Sequence, residues 1–177
     1  QLTGHSEGER LGACTDCRRF WAKFRAAEID KAGIEKIESR LVTTSGTCAV
    51  MGTASTMACI TETLGMALPG TAAIPAIHAD RLRAAEASGA QAVHLAQIDR
   101  DKQLTPKKII TPASVENALR ILLAVGGSTN AIIHLTAIAG RLGIPIPLQQ
   151  LNTLSDETPV LIDLKPTGDH YMEDLFK

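Results

Sequence analysis

The stretch TPASVENALRILLAVGGSTNAIIHLTAIAGRLG, residues 111–143, decides the fold class of this chain. Thr111-Pro112 is typical of a helix start, because threonine caps the first turn and proline at the first helical position needs no N–H partner. Apolar residues then recur at helical spacing until Gly126-Gly127 interrupts the pattern. A second helix, capped by Ser128 or Thr129, is apolar almost all round, and this predicts a buried helix.

The rest of the chain predicts more helices and one strand. The first predicted helix starts at a cap by Thr15 or Asp16, and further helices cover 32–41, 53–66 and 78–88, where Gly89 stops the helix. Residues 90–98 are expected to be helical or extended, and a last helix begins at Tyr171. Val160–Ile162 is the best strand candidate, because it is a short β-branched run between prolines. His134 lies inside the apolar helix and is expected to be a hydrogen-bonded core histidine. The pattern therefore predicts one layered, helix-rich α/β unit.

Composition and charge exclude several kinds of partner. The chain has 177 residues, 45% of them hydrophobic and 21% charged, with a formal net charge of −1. Such a balance gives no field for binding nucleic acid, and no apolar run is long enough to cross a membrane. The first residues lack a signal-peptide pattern, so we expect a cytoplasmic protein. Because the chain begins at Gln1 and ends inside a predicted helix at Lys177, we expect an internal segment of a longer protein.

The four cysteines differ in their surroundings. Cys14-Thr15-Asp16-Cys17 has a spacing that suits zinc, a redox pair or a cluster, and ordinary thiols near a helix start are the alternative. Cys59 lies in a predicted helix among apolar neighbours and is expected to be a buried thiol. Cys48 is flanked by Gly46 and Gly52 and precedes a helix, whose free N–H groups favour a thiolate. Cys48 is therefore the best candidate for a metal ligand.

The segment from Gly126 to Asn130 is a second candidate site. It has the glycines and hydroxyls of a phosphate-binding loop, but it lacks the Gly-Lys-Ser/Thr ending of a P-loop. Two interpretations stay open. The segment is either a structural turn with a helix cap, or a direct substrate contact through Ser128 and Thr129.

A long pattern around Cys48 identifies a family. The run GTCAVMGTASTM at 46–57, followed by ETLGM at 62–66, resembles a signature of the dihydroxy-acid and sugar-acid dehydratases. The resemblance covers nearly the whole chain in order, through the runs LPGTAAIPA at 68–76, ENA at 116–118, GGSTNA at 126–131, HL at 134–135 and DLKPTG at 163–168.

The resemblance implies cofactors and site residues. In this family a [2Fe–2S] or [4Fe–4S] cluster is held by three cysteines, and one iron is left open to the substrate hydroxyl. Cys48 matches the third cysteine, whereas Cys14 and Cys17 match none. The other two cysteines, the acidic Mg²⁺ ligands and a carbamylated lysine lie upstream of Gln1 in the family pattern. The proton-abstracting serine belongs to a C-terminal domain, so the residues that carry catalysis are expected outside this segment.

The resemblance also implies a reaction and an architecture. The expected reaction is the dehydration of a hydroxy acid, with a sugar acid (aldonate) giving a 2-keto-3-deoxy acid. Ser55 favours the sugar-acid members, because branched-chain members usually carry asparagine there; a dihydroxy-acid dehydratase of branched-chain amino acid biosynthesis is the alternative. Residues 1–177 would form part of an N-terminal three-layer α/β/α domain, inactive alone, in a homodimer or homotetramer whose C-terminal domain is β-barrel-like.

Two rival hypotheses come from other classes of protein. The first is a helical zinc or redox module that uses Cys14 and Cys17 and has no catalysis of its own. The second is a purely structural helical domain in which all four cysteines are inert.

Overall fold

The computed structural model describes residues 1–177 and is dominated by helices. It contains nine helices and one two-stranded antiparallel sheet. The elements in chain order are β1 (Gly4–Ser6), β2 (Glu9–Leu11), α1 (Ala13–Arg25), α2 (Lys31–Leu41), α3 (Thr53–Thr63), α4 (Ala79–Gln97), α5 (Pro106–Ile109), α6 (Pro112–Ala124), α7 (Asn130–Arg141), α8 (Leu148–Glu157) and α9 (Met172–Phe176). The helix-rich prediction is confirmed, and the three-layer arrangement stays a prediction.

The main core lies where α6 packs against α3, α7 and α8. Small and branched aliphatic side chains fill it, so the helices approach closely. Its buried members are Ile60, Leu64, Ile110, Val115, Ala118, Leu119, Leu122, Ala131, Leu135, Ala139 and Leu154. Each leucine side chain that folding buries completely stabilises such a core by roughly 1.5–3 kcal/mol, because its apolar surface leaves water.

The start of α6 is as the sequence predicts. Thr111 is the N-cap, and its hydroxyl accepts a hydrogen bond from the Ser114 N–H at 3.2 Å. The Ser114 hydroxyl in turn accepts from the Thr111 N–H at 2.8 Å. This reciprocal pair satisfies two backbone donors that a helix start otherwise leaves free.

The prediction that α7 is buried all round is wrong. Ala131, Leu135 and Ala139 are buried against α3 and α6, but Ile133 on the opposite side is 69% exposed. His134 is exposed as well, so it is not a core histidine. The helix is therefore one-sided, because no element of the described chain packs over its outer face.

Three helix boundaries also differ from the predictions, and one of them is the end of α3, which lies at Thr63 and not at residue 66. The helix α4 runs without a break from Ala79 to Gln97, because one glycine at Gly89 costs only about 1 kcal/mol in a segment rich in alanine. The helix α1 begins at Ala13, ahead of the predicted cap at Thr15 or Asp16. The Asp16 carboxylate instead accepts a hydrogen bond from the Gly12 N–H at 2.5 Å, inside the first turn.

The predicted strand Val160–Ile162 does not form. The Leu161 N–H donates to the Ala124 carbonyl at 2.8 Å, but the segment belongs to no ladder. Val160 and Leu161 are exposed. A strand needs a neighbouring strand to pair with its backbone groups, and no strand lies beside this segment.

The two ends of the chain meet beside the core. The hairpin β1–β2 pairs Gly4 with Leu11 and contacts α2, which packs against α1. Hydrogen bonds from this hairpin reach α9 near the end of the chain. No helix combines the length and the apolar character that crossing a bilayer requires.

Candidate functional site

The Cys48 segment, residues 42–52, is an irregular stretch between α2 and α3. Its backbone is held from two sides, because the Met51 N–H donates to the Lys165 carbonyl and the Met172 N–H donates to the Ala49 carbonyl, both at 2.8 Å. The Cys48 side chain is half-buried, whereas its neighbours Ala49 and Val50 are buried. The sequence prediction of a loop that presents this thiol just before a helix is confirmed.

A cavity of about 350 Å³ opens beside Cys48. Six parts of the chain line it: Gln1, the Cys48 segment, the first half of α3, the stretch 72–76, the start of α4 at Arg81 and the beginning of α9. Gly46 has a φ of +120°, and a Cβ there would lie 2.9 Å from both the Ala76 Cβ and the Gln1 nitrogen. Only glycine fits this contact, so Gly46 lets the Cys48 segment approach the opposite wall.

Glu62 holds that opposite wall in place. Its carboxylate accepts hydrogen bonds from three consecutive backbone N–H groups, those of Gly70 at 2.7 Å, Thr71 at 3.1 Å and Ala72 at 2.8 Å. Hydrogen bonds to a charged acceptor are stronger than neutral ones. Glu62 therefore ties the end of α3 to the loop that completes the cavity.

Arg81 and Glu173 are the charged side chains of the cavity lining. The Arg81 guanidinium donates to the Ile74 carbonyl, which is part of the same wall. Glu173 accepts from the Thr3 N–H and the Thr3 hydroxyl, both at 3.1 Å, and from Arg10 at 2.7 Å. Partial burial opposes ionisation of Glu173, but the bonds from Thr3 and the charge of Arg10 outweigh it and lower its pKa.

Tyr171 connects α9 to the start of α1 behind the Cys48 segment. Its ring packs with Ala49 and Val50, and its hydroxyl donates to the Asp16 carboxylate and the Arg10 carbonyl, each at 3.2 Å. Burial and then the nearby Asp16 charge raise the pKa of Tyr171 to about 12. Tyr171 is thus a neutral donor that fixes the wall on which Cys48 sits.

The four cysteines lie in different environments in the structure. The interaction with Cys48, followed by partial burial, raises the pKa of the exposed Cys14 thiol. Cys17 instead packs with a cluster formed by Leu11, Ile37 and Leu41. Cys59 is only partly buried, where complete burial was expected, and desolvation followed by Glu62 raises its pKa. All four thiols are free.

Ser128 and Thr129 lie near the start of α3 on a different cavity. The Ser128 hydroxyl is 2.8 Å from the Thr53 hydroxyl, and the Ser128 N–H donates to the Thr56 hydroxyl at 3.0 Å. Together with Thr129, which is exposed, Ser128 lines a hollow of about 150 Å³ that does not include Cys48. The turn therefore joins α7 to α3, and a substrate contact there stays a prediction.

The residues present fit one part of the expected metal chemistry. Cys48 presents a half-buried thiol at a cavity edge with a glycine beside it, and this suits one thiolate of an iron–sulfur cluster. No group of three or more His, Cys, Asp or Glu side chains is placed to hold a metal ion. The cavity carboxylate of Glu173 is already engaged by Thr3 and Arg10.

Several site residues are not predicted by the sequence pattern. Arg81, Glu173 and Tyr171 contribute to the site through the packing of distant segments, as when Thr3 and Glu173 bond across 170 positions. No spacing rule reaches across such a separation. Glu62 is an exception in part, because it lies within the quoted run at 62–66, although its role as a loop anchor has no local signal.

The family is shown by comparison with known sequences. The chain belongs to the dihydroxy-acid/6-phosphogluconate dehydratase family, whose N-terminal sequence model matches residues 2–177. The resemblance found in the signature around Cys48 is thus confirmed over the whole chain.

Several curated relatives are dihydroxy-acid dehydratases. The chain is 39% identical over 176 residues to a dihydroxy-acid dehydratase of Thermodesulfovibrio yellowstonii, covering 99% of this chain and 31% of the relative. It is 41% identical over 174 residues to one of Methanospirillum hungatei, covering 98% and 31%. A third, of Caldicellulosiruptor bescii, is 42% identical over 153 residues, covering 86% and 27%. The chain thus spans about a third of the length of these relatives.

Proposed function

We propose that the complete gene product is a hydro-lyase that removes water from a 2,3-dihydroxy acid and yields a 2-keto acid. The main observation in support of this proposal is that the half-buried Cys48 thiol lies at the edge of a cavity, in a chain that belongs to the dehydratase family. The printed names of the relatives favour the dihydroxy-acid alternative over the sugar-acid expectation based on Ser55. Ser55 is buried and lines the cavity, so it remains the residue that argues for a sugar acid.

The proposal assigns each chemical role to a cofactor or to a part of the protein. Cys48 would be one of the thiolates that hold an iron–sulfur cluster, which supplies Lewis acidity toward the leaving hydroxyl when bound. Mg²⁺ stays an expectation from the family, with ligands outside this chain. The lyase chemistry is divided between these cofactors and segments beyond residues 1–177, and this chain contributes one wall of the site.

Arg81 is the cation that this wall offers to an acidic substrate. Arg81 lines the cavity with Cys48, and its guanidinium donates a hydrogen bond to the Ile74 carbonyl. A guanidinium pairs with a carboxylate through parallel hydrogen bonds, which fixes the orientation of the acid as well as its position. We assign the carboxylate of the substrate to Arg81, and we keep Ser128 and Thr129 as candidate contacts for a more distant part of the substrate.

The substrate class can be tested on the complete gene product, prepared without oxygen. The measurement is keto-acid formation from a branched 2,3-dihydroxy acid and from an aldonate at equal concentrations. We expect the branched dihydroxy acid to react faster. Faster reaction of the aldonate would overturn this choice in favour of the sugar-acid alternative, and reaction of neither acid would contradict the proposed function.

The role of Arg81 has a matched control on the same helix. Arg81→Met removes a charge-assisted hydrogen bond to the acid, so KM should rise by roughly ten- to a hundredfold. Arg83 is 71% exposed and pairs only with Asp80, so Arg83→Met should leave KM unchanged. Equal KM values for the two variants would remove Arg81 from substrate binding.

A further inference from the structure

The start of α3 is an uncapped helix end on the wall of the cavity that Cys48 lines. The N-cap residue is Gly52, so no side chain caps the first turn. The backbone N–H groups of Thr53, Ala54 and Ser55 have no acceptor within the chain. Ala54 and Ser55 line the cavity together with Cys48. Free N–H donors and the helix dipole therefore favour a negatively charged group beside this end of α3.

The Ser55 hydroxyl is a second, independent feature of the same wall. Ser55 is 4% exposed, and its hydroxyl makes no hydrogen bond within the chain. The other hydroxyls of α3 are all hydrogen-bonded within the chain, and they belong to Thr53, Thr56, Thr61 and Thr63. A buried hydroxyl is costly without a partner, and nearly all such groups in proteins have one. Ser55 therefore lacks a partner that this chain does not supply.

The Ser55 oxygen is open to the cavity. Two buried side-chain oxygens are completely enclosed without a partner, those of Thr15 and Thr158. The Ser55 oxygen is not one of them, so the small exposed area of this residue faces the cavity that it lines. A ligand in the cavity can thus reach the hydroxyl.

The charged groups of the cavity also favour an anion. Arg81 donates to the Ile74 carbonyl and forms no ion pair within the chain. The carboxylate of the lining belongs to Glu173, and Arg10 already pairs with it at 2.7 Å. The groups left without a charged or hydrogen-bonding partner are thus donors. A volume of about 350 Å³ lies at the lower end of the range for small-molecule sites, roughly 300–1,000 Å³, and this suits a short acid.

We propose that Ser55, the first turn of α3 and Arg81 form the binding site for the carboxylate of a short hydroxy acid. The Ser55 hydroxyl and the free N–H groups donate to the carboxylate from the α3 wall, and Arg81 donates from the α4 side. This inference rests on the proposed function and adds the α3 wall to Arg81. The branched dihydroxy acid and the aldonate both carry a carboxylate, so the site serves either acid.

The test uses an acid that binds but cannot react. 2-Hydroxy-3-methylbutanoate has a carboxylate and a branched skeleton, but it has no hydroxyl at C3 to lose. Its primary amide has nearly the same shape without the charge. Titration calorimetry on the complete gene product, prepared without oxygen, gives a Kd for each compound. We expect the amide to bind roughly tenfold more weakly or worse, because hydrogen bonds to a charged acceptor are the stronger ones.

Ser55→Ala and the matched control Thr61→Val each remove one hydroxyl from α3. The Thr61 hydroxyl donates to the Met57 carbonyl at 2.7 Å and does not line the cavity. Ser55→Ala should raise the Kd of the acid by roughly ten- to a hundredfold, whereas Thr61→Val should leave it unchanged. Because the Ser55 hydroxyl has no partner within the chain, Ser55→Ala should not lower the free energy of unfolding in urea.

An acid Kd that Ser55→Ala leaves unchanged would overturn the proposal, and so would an amide that binds as tightly as the acid. Absence of acid binding by the unaltered protein would overturn it too. Loss of stability or of helical circular dichroism in Ser55→Ala would show that the hydroxyl supports the fold instead, which also overturns the proposal.

Failure of the proposed function is read separately, from keto-acid formation. Acid binding that depends on Ser55, without keto-acid formation from the dihydroxy acid or the aldonate, would reject the dehydration and leave the binding site in place. Keto-acid formation with an unchanged acid Kd in Ser55→Ala would reject the binding site alone.

Discussion

The helical core and the Cys48 site are built in different ways. The core around α6 is an aliphatic cluster whose members recur at helical spacing along three neighbouring helices. The site draws its walls from both ends of the chain and holds them with hydrogen bonds and ion pairs, such as that of Arg10 with Glu173. Stability therefore depends mostly on apolar burial, and the shape of the site depends on a few polar contacts.

The largest effect should come from the core. Leu119 is 0% exposed, so Leu119→Ala leaves a cavity and should lower the free energy of unfolding by roughly 2–5 kcal/mol. Leu148 is 75% exposed, and Leu148→Ala should change it by less than about 0.5 kcal/mol. Urea denaturation measures both. A similar, small loss in both variants would contradict the assignment of the core to α6.

A smaller effect should follow from loss of the loop anchor. Glu62→Gln removes the charge that three backbone N–H groups share, so we expect a loss of about 1–2 kcal/mol and faster proteolysis within 70–76. Glu86→Gln on the exposed face of α4 is the control and should change neither quantity. Unchanged proteolysis in the Glu62 variant would show that the cavity wall stands without its anchor.

Tyr171 tests the wall behind Cys48. Tyr171→Phe keeps the ring but removes the hydrogen bonds to Asp16 and Arg10, and it should cost about 1 kcal/mol of unfolding free energy. Because folding raises the pKa of Tyr171 from 10.0 to about 12, its contribution is complete below pH 10.0 and is lost as the pH rises toward 12. The phenylalanine variant should therefore lose less stability across that alkaline range than the unaltered chain, and equal losses would contradict this role.

The smallest effect should be an altered dependence on acid. Folding lowers the pKa values of Glu173 and Asp174, so their stabilisation is present above their ordinary values of 4.5 and 3.8 and is lost as the pH falls below them. Arg10→Met weakens that lowering, and stability should then fall less steeply with acid. Lys31→Met serves as the control, because Lys31 forms only an exposed ion pair with Glu35. Identical acid profiles for all three proteins would remove Arg10 from the account.

The two regions also differ in how far the sequence predicts them. Periodicity and capping place α6 and its Thr111 cap, because both depend on residues within one or two turns. The same reasoning fails for Val160–Ile162 and for the outer face of α7, where the outcome depends on whether another element packs there. Local pattern does not contain that information.

For the site, the sequence predicts the thiol but not its surroundings. The run at 46–57 singles out Cys48, and the structure places that residue at a cavity. Arg81 and Tyr171 reach it only through folding, and no spacing in the chain indicates that they lie near Cys48. Such contacts are set by the docking of α1 and α9, which becomes visible only in three dimensions.

The most direct test measures iron in the complete gene product, purified without oxygen, for Cys48→Ser and for the matched Cys59→Ser. Both cysteines are partly buried, but only Cys48 lines the cavity. We predict that Cys48→Ser loses cluster absorption and bound iron, whereas Cys59→Ser keeps both. Full cluster absorption and iron content in the Cys48 variant would contradict the account.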